Sequence, residues 1–424
     1  MARIPENGAA TAADVVALGL DQLAREGARR MLQVALELEV AEYVERFRGA
    51  RDERGWAQVV RNGPAREREV TLGSGTVAVR APRVNDRRVL DGERQKFSSR
   101  ILPPYVRRSP RVAEVLPLLY LHGLSSGDFR AALGALLGDE AAGLSPTAII
   151  RLTKAWEAEY AEFRRRDLAG TDYVYVWADG VHFNVRPEDD RLCTLVVIGA
   201  RPDGTKEVIA VEDGYRESTE SWLSVLRDLK RRGMRAPLLA IADRALGFWG
   251  ALREVWPATQ AETCWVHRVA NVLDKLPKRL QSRAKRALHA MMYAENRAAC
   301  LEEIAAFAAE YGAKYPKAVE SLTRDREQLL THFAFPAEHW GHLRTTNPIE
   351  STFATVKLRQ RVTKGAGSRT AGLTMAFKLL LMAQARWRRL NAPHLVAQVR
   401  AGVRFQDGLR VERDDTADEV KTAA

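Results

Sequence analysis

Two aspartates close apolar, strand-like runs: Asp179 in TDYVYVWADG and Asp243 in PLLAIADR. A third acid, Glu350 in TTNPIESTFATVKLRQR, opens a helix-like stretch. Carboxylates are hard oxygen donors, and three of them brought together suit a divalent cation such as Mg²⁺. Each also has an ordinary structural reading. Aspartate favours turns where strands stop. Glutamate at the third helical position is the reciprocal partner of a capping box, here with Asn347 as N-cap and Pro348 at the first position. Lys357 follows Glu350 by seven residues, and at about 100° per residue it returns to nearly the same face, with Arg361 one turn further on. A carboxylate followed by bases along one face suits metal at one end and phosphate along the rest.

The elements that must position these acids lie between Tyr173 and about Leu276, where the apolar pattern alternates. The first run ends at Asp179-Gly180. VHFNVR follows, then LCTLVVIGA and KEVIAVEDG around the turn Pro202-Asp203-Gly204, a hairpin signal because Pro and Gly supply the turn dihedrals. Ser218 to Arg232 reads as an amphipathic helix with Trp222, Leu223, Leu226 and Leu229 on one face. A short buried strand ends at Asp243, a helix spans about Gly247 to Val255, and QAETCWV reads as a last strand. The order is three hairpin-linked strands, helix, strand, helix, strand. In a mixed sheet of this order the first and fourth strands can lie side by side, which brings Asp179 and Asp243 to one edge.

The chain has 424 residues, enough for two or three domains, with 66 Lys+Arg against 54 Asp+Glu and a net charge of +12. That excess points to a polyanionic partner. From Ser351 to Gln406 there are eleven bases, Lys357, Arg359 and Arg361 among them, and no acid. Such a run is better explained by phosphate contacts than by a mixed-sign solvated face. A second basic zone, Arg83 to Arg111, includes Arg107 and Arg108 and reads as a linker from its Pro and Gly content. Three helix-like segments follow, at Arg111–His122, Ser125–Leu137 and Ser145 to about Arg166. With Arg151 and Lys154 early in the third, they match a helix-turn-helix in outline, against the plain alternative of a helical bundle. Apolar runs are too short to span a bilayer, no signal peptide is visible, and three scattered cysteines fit a reducing compartment. The expected location is therefore the cytoplasm.

Cys264 and His267 have C-x-x-H spacing, half of a structural zinc site that needs four ligands. His339 and His342 are the nearest further pair. Trp340 offers a face for stacking on a base, or else belongs to the core.

Taken together, VWADG, AIADRALGFWGALREVWP, CWVHRVANVLDKLPKR and TTNPIESTFATVKLRQR resemble the bacterial mutator-type insertion-sequence transposases. ARRMLQVALELEVAEYV, VVRNGPARER, RAPRV, ILPPYVRRSP and LHGLSSGDFRAAL resemble the N-terminal region of the same family, so the likeness covers roughly residues 27–390. It implies an α/β, RNase H-like catalytic domain with a mixed sheet, preceded by a mainly helical DNA-binding region. Its DDE triad would be Asp179, Asp243 and Glu350, at spacings of 64 and 107 residues. The long second gap, rich in Ala, Leu, Arg and Glu, reads as an all-helical insertion of the kind such transposases carry. Cys264 and His267 become a family signature near the active site. Asp243 precedes Arg244 where the family usually has glycine, and Pro64 follows RNG where an aromatic is usual.

The organisation expected is a helical region at 1–65, a short β-containing segment with a basic linker at 66–106, and a helix-turn-helix-like domain at 107–170. The catalytic core follows at 171–276, then the insertion at 277–335, the rest of the core with basic helices at 336–406, and an acidic tail at 407–424. The implied activity is binding of terminal inverted repeats, then metal-dependent 3′ strand cleavage and strand transfer. Two Mg²⁺ ions would serve, with Mn²⁺ able to substitute. The expected partners are double-stranded DNA (repeats and target) and a second copy on DNA, with no membrane; a DNA-bound fraction would sit on the nucleoid. Two other readings stay open: a different RNase H-like nuclease or integrase, and a DNA-binding regulator derived from a transposase but unable to cut.

Overall fold

The computed structural model describes residues 19–109, 112, 119, 146–184, 192–214, 216–244, 247–363 and 368–411. Apart from Val112 and Leu119, the first two helices of the expected helix-turn-helix lie outside the described residues, as does the acidic tail from 412 onward. The chain divides into two compact units, residues 1–152 and 153–424.

In the first unit, helix α1 (Leu20–Arg46) precedes strands β1 (Val59–Pro64), β2 (Arg68–Leu72), β3 (Gly75–Val79), β4 (Pro82–Asp86), β5 (Val89–Leu90) and β6 (Glu93–Arg94). β1 pairs with β4, β2 with β3 and β5 with β6, all antiparallel. Leu36 of α1 packs on Val70, Val77, Val79 and Leu102. Strand structure thus begins at Val59, inside the stretch expected to be helical. The basic zone is no linker either. Pro82 is tolerated as the first residue of its strand, and buried Asp86 accepts bonds from Tyr43 and from the Arg88 guanidinium. Arg88 holds the Asp86 carboxyl down to about 2. Arg107 and Arg108 belong to this layer: Thr71 donates to the Arg107 carbonyl at 2.9 Å, and Arg108 bridges to Thr71.

α2 (Pro146–Arg165) begins before the division and runs into the second unit, where β7 (Tyr175–Phe183), β8 (Leu192–Ala200), β9 (Lys206–Gly214), α3 (Thr219–Arg231), β10 (Leu239–Ala242), α4 (Phe248–Val255) and β11 (Gln260–Thr263) follow. The sheet order is β11-β10-β7-β8-β9; β10 runs parallel to β7 and β11, while β7, β8 and β9 are antiparallel. The β8–β9 turn forms because Gly204 takes φ +77° and Asp203 accepts the Thr205 N–H at 2.9 Å. Ser218 caps α3 by accepting from the Ser221 N–H. Side chains alternate along β7. Val176 and Ala178 join the core formed with Trp222, Leu226 and Phe248 of α3 and α4. Tyr175 and Trp177 face the other way, where the Tyr175 hydroxyl meets His339 Nδ1 and the Trp177 indole donates to the His342 carbonyl.

Beyond β11 come α5 (Trp265–Leu273), α6 (Lys278–Met292), α7 (Arg297–Tyr311) and α8 (Pro316–Thr323), which share a core of Trp265, Leu288, Ile304, Phe307 and Leu322. α9 (Asn347–Thr363), α10 (Arg369–Gln384) and α11 (Pro393–Arg400) follow. No helix among the described residues is long and apolar enough to cross a membrane.

Candidate active site

β10 stops at Ala242, which pairs with Ala178 on β7. The next residues on these parallel strands are Asp243 and Asp179, so the two acids sit level where the pairing ends. Asp179 is not the end of its strand, contrary to the sequence expectation. β7 runs on to Phe183 because β8 continues to pair with it, Asp179 opposite Val196. The last strand is also shorter than QAETCWV: it ends at Thr263, and Cys264 becomes the N-cap of α5. The Cys264 N–H donates to the Ala242 carbonyl at 3.0 Å, and its sulfur accepts from the Thr346 N–H and hydroxyl at 3.3 Å each.

A cleft of about 340 Å³ opens at this edge, lined by Asp179, Gly180, Glu217, Asp243, His267, Glu350, Phe353, Ala354 and Lys357. Glu350, Phe353, Ala354 and Lys357 are one face of α9, at the expected spacing. Lys357 is exposed in the cleft. The side chains of Arg359, Arg361 and Arg151 lie outside the described residues. Lys154 is exposed on α2.

The capping box expected at Glu350 does not form. The Glu350 N–H bonds the Thr346 carbonyl, so Thr346 rather than Asn347 caps the helix. In a capping box the glutamate would accept the N-cap N–H. Here the Thr346 N–H goes to the Cys264 sulfur at 3.3 Å instead. The Glu350 carboxylate bonds the Thr346 hydroxyl at 2.5 Å, while its helical face turns into the cleft. His267, on the first turn of α5, places Nδ1 3.7 Å from Glu350 Oε1. The Cys264 sulfur, followed by the Asp243 and Glu350 carboxylates, raises His267 to about 9 against the opposing effect of burial.

Asp179 is 8% exposed and accepts the Gly180 N–H at 2.8 Å. Burial pushes its carboxyl up to about 7; the Gly180 N–H and His267 oppose this, and the Glu217 and Glu350 carboxylates add to it. Four hard carboxylates converge on a cleft whose cationic groups are His267 and Lys357. That donor set fits a divalent cation. The mixed set Cys264, His267 and Glu350, within 4.8 Å of one another, gives three donors where structural zinc takes four.

Several expected contacts with nucleic acid are occupied otherwise. Trp340 is buried against Phe333 and donates its indole N–H to the Phe335 carbonyl, leaving no free face for a base. Within the basic run, Arg369 pairs with Asp213, Lys378 with Glu159 and Arg400 with Asp172. Arg244 pairs with Asp325, just beyond α8, at 2.9 Å. Glu217 escaped sequence reasoning. The available signal was Gly180, because glycine inside a strand marks a close approach.

Fold and cleft together define an α/β protein with a mixed sheet and an acidic cleft at one sheet edge. The family model described as Transposase, Mutator family, matches residues 4–389, and the chain belongs to that family. It is 58% identical over 302 residues to the transposase for insertion sequence element IS6120 of Mycolicibacterium smegmatis, covering 71% of this chain and 93% of that one. The transposase for insertion sequence element IST2 of Acidithiobacillus ferrooxidans is 50% identical over 286 residues, 66% of this chain and 94% of its own. A solved structure of the HTLV-2 integrase catalytic core domain in complex with magnesium aligns with 29% of this chain and 87% of its own at 16% identity and a TM-score of 0.17, a likeness too slight to carry weight.

Proposed function

We propose that this transposase cuts and joins DNA at the ends of its insertion sequence, with Asp179, Asp243 and Glu350 as the acids that hold the divalent cation. The register that levels Asp243 with Asp179 in the cleft shared with Glu350 carries this reading. The sheet order, with three antiparallel strands followed by two parallel ones, supports an RNase H-like core. Mg²⁺, or Mn²⁺ in its place, would neutralise phosphate charge and lower the pKa of attacking water.

The protein's own residues do the rest. Lys357 sits on the cleft face of α9, where it binds the phosphate beside the scissile bond. Cys264 accepts the cap N–H of α9, so Glu350 forms no capping box and lines the cleft with the Thr346 hydroxyl as its helix-end partner, a positioning role for the C-x-x-H signature. Water attacks phosphorus and the 3′ oxygen leaves as a hydroxyl. That hydroxyl then attacks a phosphodiester of the target, and a target 3′ oxygen leaves. One P–O bond forms for each one broken, so joining needs no ATP. Two element ends must be brought together, so the working form is a homodimer on double-stranded DNA carrying the terminal inverted repeats.

The test is strand cleavage on a duplex bearing the gene's own flanking ends, with Mg²⁺ or with EDTA, comparing wild type and Asp243→Ala. A Mg²⁺-dependent nick at the element boundary that the variant loses is expected. Binding without a nick in either protein would overturn the reading in favour of a non-cutting DNA-binding protein.

A further inference from the structure

We propose that Glu217 is a fourth carboxylate of the active site and shares in binding the divalent cation. This rests on the reading of the cleft given above. β7 alternates, so Asp179 faces the side of the sheet covered by α9, while Gly180 faces the side covered by α3 and α4. Glu217 stands immediately before Ser218, the N-cap of α3. It therefore comes to the sheet edge from the face opposite Glu350, and the two glutamates enclose Asp179 from both sides.

Three observations show that this placement is built. A Cβ on Gly180 would lie 2.0 Å from Glu217 Oε1, so the glycine leaves the space that the carboxylate occupies. The Glu217 carbonyl is held by the Gly247 N–H at 3.0 Å. A Cβ on Gly247 would in turn lie 2.3 Å from the Thr219 nitrogen, so a second glycine permits that close approach. On the outer side, His182 Nε2 lies 3.3 Å from Glu217 Oε1. Neither oxygen is buried in a closed pair: the Glu217 side chain is 28% exposed and lines the cleft. A carboxylate given its own niche beside metal-binding acids is placed to bind the cation or to orient its water.

His182, Cys193 and Glu217 also bring donor atoms within 4.8 Å of one another, the geometry of a separate soft-metal site. Cys193 belongs to the apolar core of the sheet, which favours assigning Glu217 to the cleft.

The experiment titrates Mn²⁺ alone into the full-length protein and reads the rise in thermal midpoint, with no DNA present. Glu217→Gln, which keeps shape and hydrogen bonding, is expected to weaken apparent Mn²⁺ affinity by about tenfold or more. Gly180→Ala should do the same by displacing the carboxylate, and Cys193→Ser should leave affinity at the wild-type value. Asp243→Ala is the control. If it binds Mn²⁺ like wild type, the reading of the whole cleft fails. If it loses binding while Glu217→Gln retains it, only the assignment of Glu217 is overturned. Loss of binding in Cys193→Ser to the same degree as in Glu217→Gln would move Glu217 to the His182–Cys193 site and overturn it as well. Midpoints without metal show whether each variant folds.

Discussion

Two acids in the same sheet, Asp179 on β7 and Glu262 on β11, are both buried, at 8% and 0% exposure, yet their surroundings are opposite. Glu262 accepts the His332 N–H at 2.8 Å and meets the His332 ring at Nδ1, 2.9 Å away. Burial raises the Glu262 carboxyl well above its usual range and lowers His332 to about 3, both in the direction of a neutral pair. Asp179 has one backbone N–H and faces other carboxylates across an open cleft. Burial is common to both. The supply of donors separates an acid that completes a fold from an acid that, under the proposed function, binds a cation.

The contrast is broken most forcefully by alanine at each acid. Asp179→Ala should lower strand cleavage by at least about 10³-fold while the protein still folds and binds DNA. A variant that nicks at the wild-type rate would end the assignment of Asp179. Glu262→Ala should instead cost about 3 kcal/mol of stability, because it orphans the buried His332 donors and leaves a cavity. Glu262→Gln should cost about 1 kcal/mol or less if the pair is neutral, since the amide replaces a protonated carboxyl. Urea unfolding of the two variants measures both.

Acid sharpens the same point. Folded His332, held near 3, binds fewer protons than the unfolded residue at 6.5. Its contribution to stability is therefore complete above the unfolded value and lost as pH falls toward the folded one. His332→Gln should flatten the fall in unfolding free energy over that window; an unchanged slope would mean the pair is ionic. The smallest effect is expected at Cys264, where Cys264→Ala should slow cleavage by about tenfold and cost about 1 kcal/mol by freeing the Thr346 N–H. Cys264→Ser, which keeps an acceptor, should recover part of the rate in the same nicking assay.

The strand order was legible because each hairpin and helix has a local cause, such as Gly204 in its turn and Ser218 at its cap. The placing of Asp179 and Asp243 side by side at one sheet edge followed from that order. Glu217 was illegible because a glutamate before a serine N-cap looks like any helix start, and the niche that explains it is made by Gly180, 37 positions earlier. The strand β4 was hidden by Pro82 and by arginines whose partners, such as Asp86 and Tyr43, meet only in the folded unit. Counting bases from Ser351 to Gln406 overstated the surface open to phosphate, since Glu159, Asp172 and Asp213 neutralise three of them from other elements.

The helical stretch between Asp243 and Glu350 also sets a clock. Ribosomes add about 5–20 residues per second, so the 107 residues between these acids take roughly 5–20 s to make. During that interval the emerging chain has both aspartates but lacks the glutamate and Lys357, and under the proposed triad it cannot cut the DNA being transcribed nearby.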